Sequence, residues 1–199
     1  EIAEVLEKIP GAADVKVEAD KLSPVEIGTA HHAFQQFVSL ECVGNGVELR
    51  EEAARMLRQG FLSEAEVKAL DVEALAEFWR SELGLALRAN ARSVHREIPF
   101  TARFSMRELL EFGFEIDPAL PPDEFIVLQG VVDVAVILPQ EIWLVDFKTD
   151  QVSPAELAEK ARHHQPQLAL YDRALSRIYN RPVTNRWLHF LAPRRTVPV

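Results

Sequence analysis

The 199-residue sequence has a single cysteine, Cys42, so it forms no internal disulfide and holds no four-thiolate iron–sulfur cluster. It contains no apolar run near the ~20 residues a membrane-spanning helix needs. Glu1–Pro10 shows no basic-then-apolar leader pattern. No G-x-x-x-x-G-K-[ST] loop occurs, which excludes a P-loop ATPase from this chain. Basic residues are the minority: 22 Lys and Arg against 31 Asp and Glu leave a net charge of −9. That balance argues against a general nucleic-acid-binding surface, which reads basic. It does not argue against a metal site, where carboxylates gather and bound ions reverse the local sign. With one cysteine and no membrane segment, an intracellular, cytoplasmic setting is the expectation. The start at Glu1, without Met, is read as that of a piece of a longer protein.

What is present suits a globular domain. The chain is 48% hydrophobic and 27% charged, enough apolar content for a sizeable core. Residues 1–22 lack a clear pattern and are expected to connect. The domain proper spans 23–199, with a helical part over 23–92 and a sheet core over 93–199. Ser23, Pro24 and Glu26 make a capping box with proline at the first helical position, predicting a helix to about Leu40. Further helices are predicted over 47–58, stopped by Gly60, and after Ser63, whose box partner is Glu66. Another runs from Asp71 to Leu87 on the stripe of Val72, Leu75, Phe78, Trp79, Leu83 and Leu87.

The texture then changes. Val94–Phe104 alternates as a strand, and Met106–Phe112 reads as a short helix. A turn containing Pro118, Pro121 and Pro122 follows. Phe125–Leu138 and Ile142–Thr149 form an antiparallel hairpin around Pro139–Gln140. Ser153, Pro154 and Glu156 make another capping box, opening a helix broken or kinked at Pro166 and resumed over 167–179. Arg186–Ala192 is the closing strand. This order gives an α/β, or α+β, fold with a mixed sheet flanked by helices and an N-terminal helical segment.

Three charges lie in the apolar hairpin strands: Asp133, Asp146 and Lys148. Buried charges are costly unless paired or metal-bound. Asp146 and Lys148 are two apart and share a face. A connection pairing Leu138 with Glu141 places Asp133 opposite Asp146, whereas a loop of odd length puts it on the other face unless a bulge corrects it. Two facing carboxylates ~5 Å apart repel unless a cation lies between them, and Mg²⁺ or Mn²⁺ suits such oxygen ligands. A lysine beside the ion orients a water and stabilises charge developing on a phosphate. The bland alternative is a buried Asp–Lys pair with Asp133 at a strand bend.

Five motifs in order carry a family resemblance: Gly28-Thr-Ala-His-His32, Arg96-Glu-Ile-Pro-Phe100, Gly130-Val-Val-Asp133, Val145-Asp-Phe-Lys-Thr-Asp150 and Gln167-Leu-Ala-Leu-Tyr171. The pattern resembles the RecB-type branch of the PD-(D/E)XK nucleases. It is closer still to the C-terminal nuclease domain of the AddA-type helicase–nucleases. Phe147 stands where the branch usually has Tyr, a change that keeps the apolar face. The resemblance implies a restriction-endonuclease-like core and a Mg²⁺-dependent DNA exonuclease, with Mn²⁺ as a substitute, acting in double-strand-break processing and recombinational repair. His32, Asp133, Asp146 and the Phe147 main-chain carbonyl would be metal ligands, and Lys148 the catalytic lysine. Gln167, Tyr171 and Thr149 would support the site or touch DNA. It further implies an AddB-like partner, helicase domains N-terminal to this piece where ATP is used, cleavage of the strand ending 3′, and a 5′-phosphate product. The contrasting reading is a nuclease-fold module without catalysis, serving DNA binding or subunit docking.

Other residues weigh differently. His31 and His32 point about 100° apart on a helix, so one faces the site and His31 is expected to be an ordinary hydrogen-bonded histidine. Glu97 is either a supporting acid or a strand-edge residue. His163 and His164 lack a spaced metal-binding partner and are expected at the surface or near DNA. Asp150 is expected to cap or turn the chain, Gly28 to allow close helix approach, and Trp79, Trp143 and Trp187 to pack. The acidic balance implies that another domain or another polypeptide supplies much of the grip on DNA.

Overall fold

A computed structural model describes residues 22–115, 117, 121 and 124–199. Residues 1–21 of the expected connecting segment, and Pro118 and Pro122 of the expected turn, lie outside them. The described chain folds into seven α-helices and five strands. Helices α1 (Pro24–Phe37), α2 (Gly46–Gln59), α3 (Glu64–Ala69), α4 (Val72–Arg80) and α5 (Glu82–Ala89) come first. Strand β1 (Val94–Ser105), helix α6 (Met106–Glu111), strands β2 (Phe125–Ile137) and β3 (Ile142–Lys148), helix α7 (Leu157–Tyr179) and strands β4 (Val183–Phe190) and β5 (Arg195–Pro198) complete the fold.

The strands lie in the order β1-β2-β3-β4-β5. All neighbours are antiparallel except β3 and β4, which are parallel and joined through α7. The sheet is therefore mixed, as expected. One face packs on α1–α5 through Val134, Val136, Val145 and Phe147 against Phe34, Phe78 and Trp79. The other packs on α6 and α7 through Ala135, Ile142 and Leu144 against Met106, Leu109, Ala174 and Leu175.

Local chemistry explains most boundaries. Ser23 and Ser63 accept from the backbone N–H groups of Glu26 and Glu66, closing the expected boxes, each a contribution of about 1 kcal/mol. Gly60 ends α2 at φ 75. Four expectations are corrected. The helix from Asp71 is two helices, because the Ser81 hydroxyl ends α4 by donating to the Phe78 carbonyl and caps α5 by accepting from Gly84 N–H. Gly84 allows that corner: a Cβ there would lie 2.2 Å from the Phe78 carbonyl oxygen. The Ser153–Glu156 box is only half made: the Glu156 carboxylate accepts from the Ser153 N–H and hydroxyl, but Glu156 N–H donates to the Ser153 carbonyl, in a turn ahead of α7 that does not cap it. Pro166 does not break α7, which runs through it; the carbonyl it leaves without a helical donor is that of Arg162, an exposed residue where solvent can serve. The closing strand is β4 at Val183–Phe190, and the chain then turns through Arg194 (φ 54) into β5, which the sequence reading missed.

His189 on β4 is 3% exposed and lies against the rings of Phe78 and Phe147. Burial pushes its pKa down to about 4. As pH falls from about 6.5 to about 4 the unfolded chain takes up a proton that the fold refuses, so stability falls across that window and by on the order of 3 kcal/mol in all. Urea unfolding at pH 7 and 5 is expected to show the loss, and a His189→Phe variant to flatten that part of the profile.

Candidate active site

The site forms where the β2–β3 ladder ends. Its register runs Ile137↔Ile142, Val136↔Trp143, Ala135↔Leu144, Val134↔Val145, closed by Leu138 N–H donating to the Glu141 carbonyl at 2.9 Å. This is the even connection that brings Asp133 and Asp146 to the same level. Beyond Val134↔Val145 the backbone pairing stops, and Phe147 N–H donates instead to Asp133 Oδ2 at 2.7 Å. The Asp133 carboxylate thus replaces a ladder bond.

On the other side of β2, β1 changes conformation at the same level. The register is unbroken from Arg96↔Val134 to Ile98↔Val132, but Glu97, opposite Asp133, is skipped by the ladder and holds φ 49. A non-glycine residue in the left-handed region costs on the order of 1 kcal/mol or more. That turn of the backbone accompanies a Glu97 carboxylate lying 3.9 Å from His32 Nδ1.

His32 comes from α1, whose seating is fixed at several points. His31 donates from Nδ1 to the Ile27 carbonyl and accepts from Asp71 N–H at Nε2. It is a neutral structural histidine, its pKa lowered by burial. Trp79 Nε1 donates to Gln35, and the Arg96 guanidinium donates to the Gln35 and Val38 carbonyls at the end of α1. Gly28 meets Thr149 so closely that a Cβ would lie 2.8 Å from its hydroxyl, so the glycine does allow close helix approach. His32 Nδ1 then stands 3.5 Å from Asp133 Oδ2. Ligand atoms of His32, Glu97 and Asp133 all lie within 4.8 Å of one another.

Asp146 and Lys148 lie on the α7 side. Lys148 Nζ is 2.8 Å from Asp146 Oδ2. This is an ion pair by distance, although that buried oxygen has no donor in hydrogen-bond geometry. Lys148 also donates to Gln167 Oε1 at 2.9 Å, and Gln167 donates to the Tyr171 hydroxyl at 2.6 Å. The Tyr171 ring packs edge-on against Phe100 at 5.6 Å, and Phe100 fills the space left by Gly130, its register partner. The Gly130 and Gln167–Tyr171 motifs are therefore successive supports of Lys148.

The electrostatics fit a crowd of carboxylates. Burial, and then the charge of Asp146, push Asp133 well above the usual carboxylate range, against the opposing Phe147 N–H. The same two causes raise Glu97. Burial lowers His32, partly offset by Asp146 and by a backbone hydrogen bond to Phe147. Burial raises Tyr171 to about 12, so its hydroxyl stays protonated. A groove of about 790 Å³ lined by Gly28, His32, Glu97, Thr149 and Asp150 opens onto the cluster.

Sequence reasoning left Glu97 undecided; its place opposite Asp133 emerges only from the β1–β2 register. It gave no role to Phe100, Arg96 or Gln35. His164 is half-buried, 3.9 Å from Asp150 and lowered by burial and then by Lys148. Trp79 is core, and Trp143 and Trp187 pack edge-on against each other, as expected.

A family model for the PD-(D/E)XK nuclease superfamily matches residues 4–196, and the chain belongs to that superfamily. Within it, the chain is 33% identical over 181 residues to an ATP-dependent helicase/nuclease protein of Listeria monocytogenes serotype 4b (strain F2365), covering 87% of this chain and 14% of that protein. It is 29% identical over 175 residues to the protein of the same name from Clostridium botulinum (strain 657 / Type Ba4), covering 88% and 13%. Both agree with the AddA-type resemblance of the motifs. The chain spans about one seventh of the length of these relatives.

A Cβ at residue 130 would lie 2.7 Å from the Phe100 ring. Gly130→Ala is expected to cost about 1–3 kcal/mol in urea unfolding, as overpacking does. The cost should be smaller in a Phe100→Leu background, measured as a double-mutant cycle.

Proposed function

We propose that this domain is the nuclease of an AddA-like helicase–nuclease, a divalent-metal-dependent DNA exonuclease that hydrolyses phosphodiester bonds at DNA ends during double-strand-break repair. The observation carrying the reading is the gathering of His32, Glu97 and Asp133 donor atoms within 4.8 Å, with the Asp146–Lys148 pair beside them. The relatives named helicase/nuclease support the setting. In that setting the DNA ends are fed by helicase domains of the same polypeptide, in complex with an AddB-like partner, in the bacterial cytoplasm.

The donor set fits a hard divalent cation such as Mg²⁺ or Mn²⁺. Burial, and then the charge of Asp146, push Asp133 and Glu97 toward their neutral forms, and the buried Asp146 Oδ2 has the Lys148 ammonium beside it but no donor in hydrogen-bond geometry. His32, Asp133 and Glu97 would hold the ion, with Asp146 and the Phe147 carbonyl as further ligands. When bound, such an ion polarises the scissile phosphate and makes a water more acidic.

The chain's own residues do the rest. Lys148 presents its ammonium to the attacking water and to charge developing on the phosphate. Gln167 fixes that ammonium, and Tyr171 fixes Gln167. Asp133 uses one oxygen to hold the Phe147 backbone and so sets the position of Asp146 and Lys148 on either side of it. The product would carry a 5′-phosphate.

Lys148→Ala is expected to lower kcat by about 100-fold or more, with the fold retained. Cleavage of end-labelled single-stranded DNA in Mg²⁺, Mn²⁺ and EDTA checks this. Absence of cation-dependent cleavage, or a Lys148→Ala variant equal to the parent, would return the domain to a non-catalytic docking role.

A further inference from the structure

The β1–β2 ribbon continues past the site as a two-stranded arm with one covered and one open face. Ile98, Phe100, Ala102 and Phe104 point to the α6–α7 core. Their neighbours Pro99, Thr101 and Arg103 are exposed, as are Val131, Gln129 and Val127 across the ladder. Val131 and Val127 are 42% and 59% exposed. Gln129 donates to Thr101, which places the two on one face. The Arg103 guanidinium lies over the Phe125 ring at 4.0 Å. This face is the one opposite the α6–α7 core, the side on which α1 brings His32 to Asp133 and Glu97. Outward from the cluster it reads Pro99/Val131, Thr101/Gln129, then Arg103/Val127.

We propose that this open face binds the single strand being cut, holding the nucleotides that flank the scissile phosphate. The inference rests on the nuclease reading above and names where its substrate lies. Continuity is the first reason: a strand whose phosphate sits between His32 and Lys148 must leave the site along a neighbouring surface, and this face begins at the ligands themselves. Chemistry is the second. Exposed apolar side chains, an aromatic ring with an arginine over it, and amide and hydroxyl groups between them suit base stacking and base-edge contact. Size is the third. Eight residues of a two-stranded ribbon present a strip about 26 Å long and 10 Å wide, roughly 250 Å², well short of the ~800 Å² per partner of a stable protein interface. Because the strip grips bases more than phosphates, it also suits a chain of net charge −9.

The test is fluorescence anisotropy of a labelled 20-nucleotide oligothymidylate with the 199-residue chain in Ca²⁺, compared with a Val131→Ser/Arg103→Ala/Phe125→Ala variant. These side chains are exposed, and thermal unfolding of the variant checks that the fold is retained. Binding is expected to weaken about tenfold or more, as loss of stacking contacts does. In Mg²⁺, cleavage of the small substrate thymidine 5′-monophosphate p-nitrophenyl ester, too short to reach the strip, is expected to stay unchanged. Equal oligonucleotide affinity of variant and parent would overturn the proposal and leave the strip to a protein partner. Equal losses on long and short substrates would overturn it too, since the variant would then be acting through the site. Failure of the nuclease reading looks different: the parent would not cleave at all, while the binding comparison in Ca²⁺ would still report on the strip.

Discussion

One hydrogen bond organises this domain: Phe147 N–H donating to the Asp133 carboxylate where the central hairpin stops pairing. Strand β3 at that point is buried on both faces, so a backbone N–H without a partner would be costly. Supplying the partner from Asp133 keeps the strand extended through Asp146 and Lys148. It also commits one oxygen of Asp133 and fixes its carboxylate against His32. Structural and chemical demands meet in a single side chain.

The helices serve that arrangement from both sides. On the α1 side, Gly28 against Thr149, His31 against Asp71, Gln35 against Trp79 and Arg96 against the end of α1 leave His32 little freedom. On the α7 side, Gly130, Phe100, Tyr171 and Gln167 form a packed series ending on the Lys148 ammonium. The long family motifs are thus read as mechanical parts. The glycines set approach distances, the aromatic residues set angles, and one amide delivers the position to the lysine.

Much of this was legible in the sequence because it depends on local rules. Capping boxes fix helix starts within a few residues, and strand parity with an even connection puts Asp133 level with Asp146. Parity was silent on Glu97, since the left-handed backbone that accompanies its place beside His32 is a property of the assembled sheet and not of its neighbours in sequence. The apolar stripe over 72–87 hid the corner at Ser81, where a serine ends one helix and starts the next because glycine at 84 lets the chain fold under Phe78. Pro166 suggested a break or a kink, and α7 runs through it without a break. β5 is the four residues Arg195–Pro198, preceded by Pro193 and Arg194, too short to carry a pattern.

In the proposed site His32, Glu97, Asp133 and Asp146 share one divalent cation. Anomalous diffraction from Mn²⁺-loaded crystals of this chain tests it most directly. One peak is expected within about 2.0–2.6 Å, the range of hard-cation ligation, of His32 and Asp133, with the Asp146 carboxylate drawn toward the ion and away from Lys148. A peak elsewhere, or none with Asp146 still bound to Lys148, would contradict it.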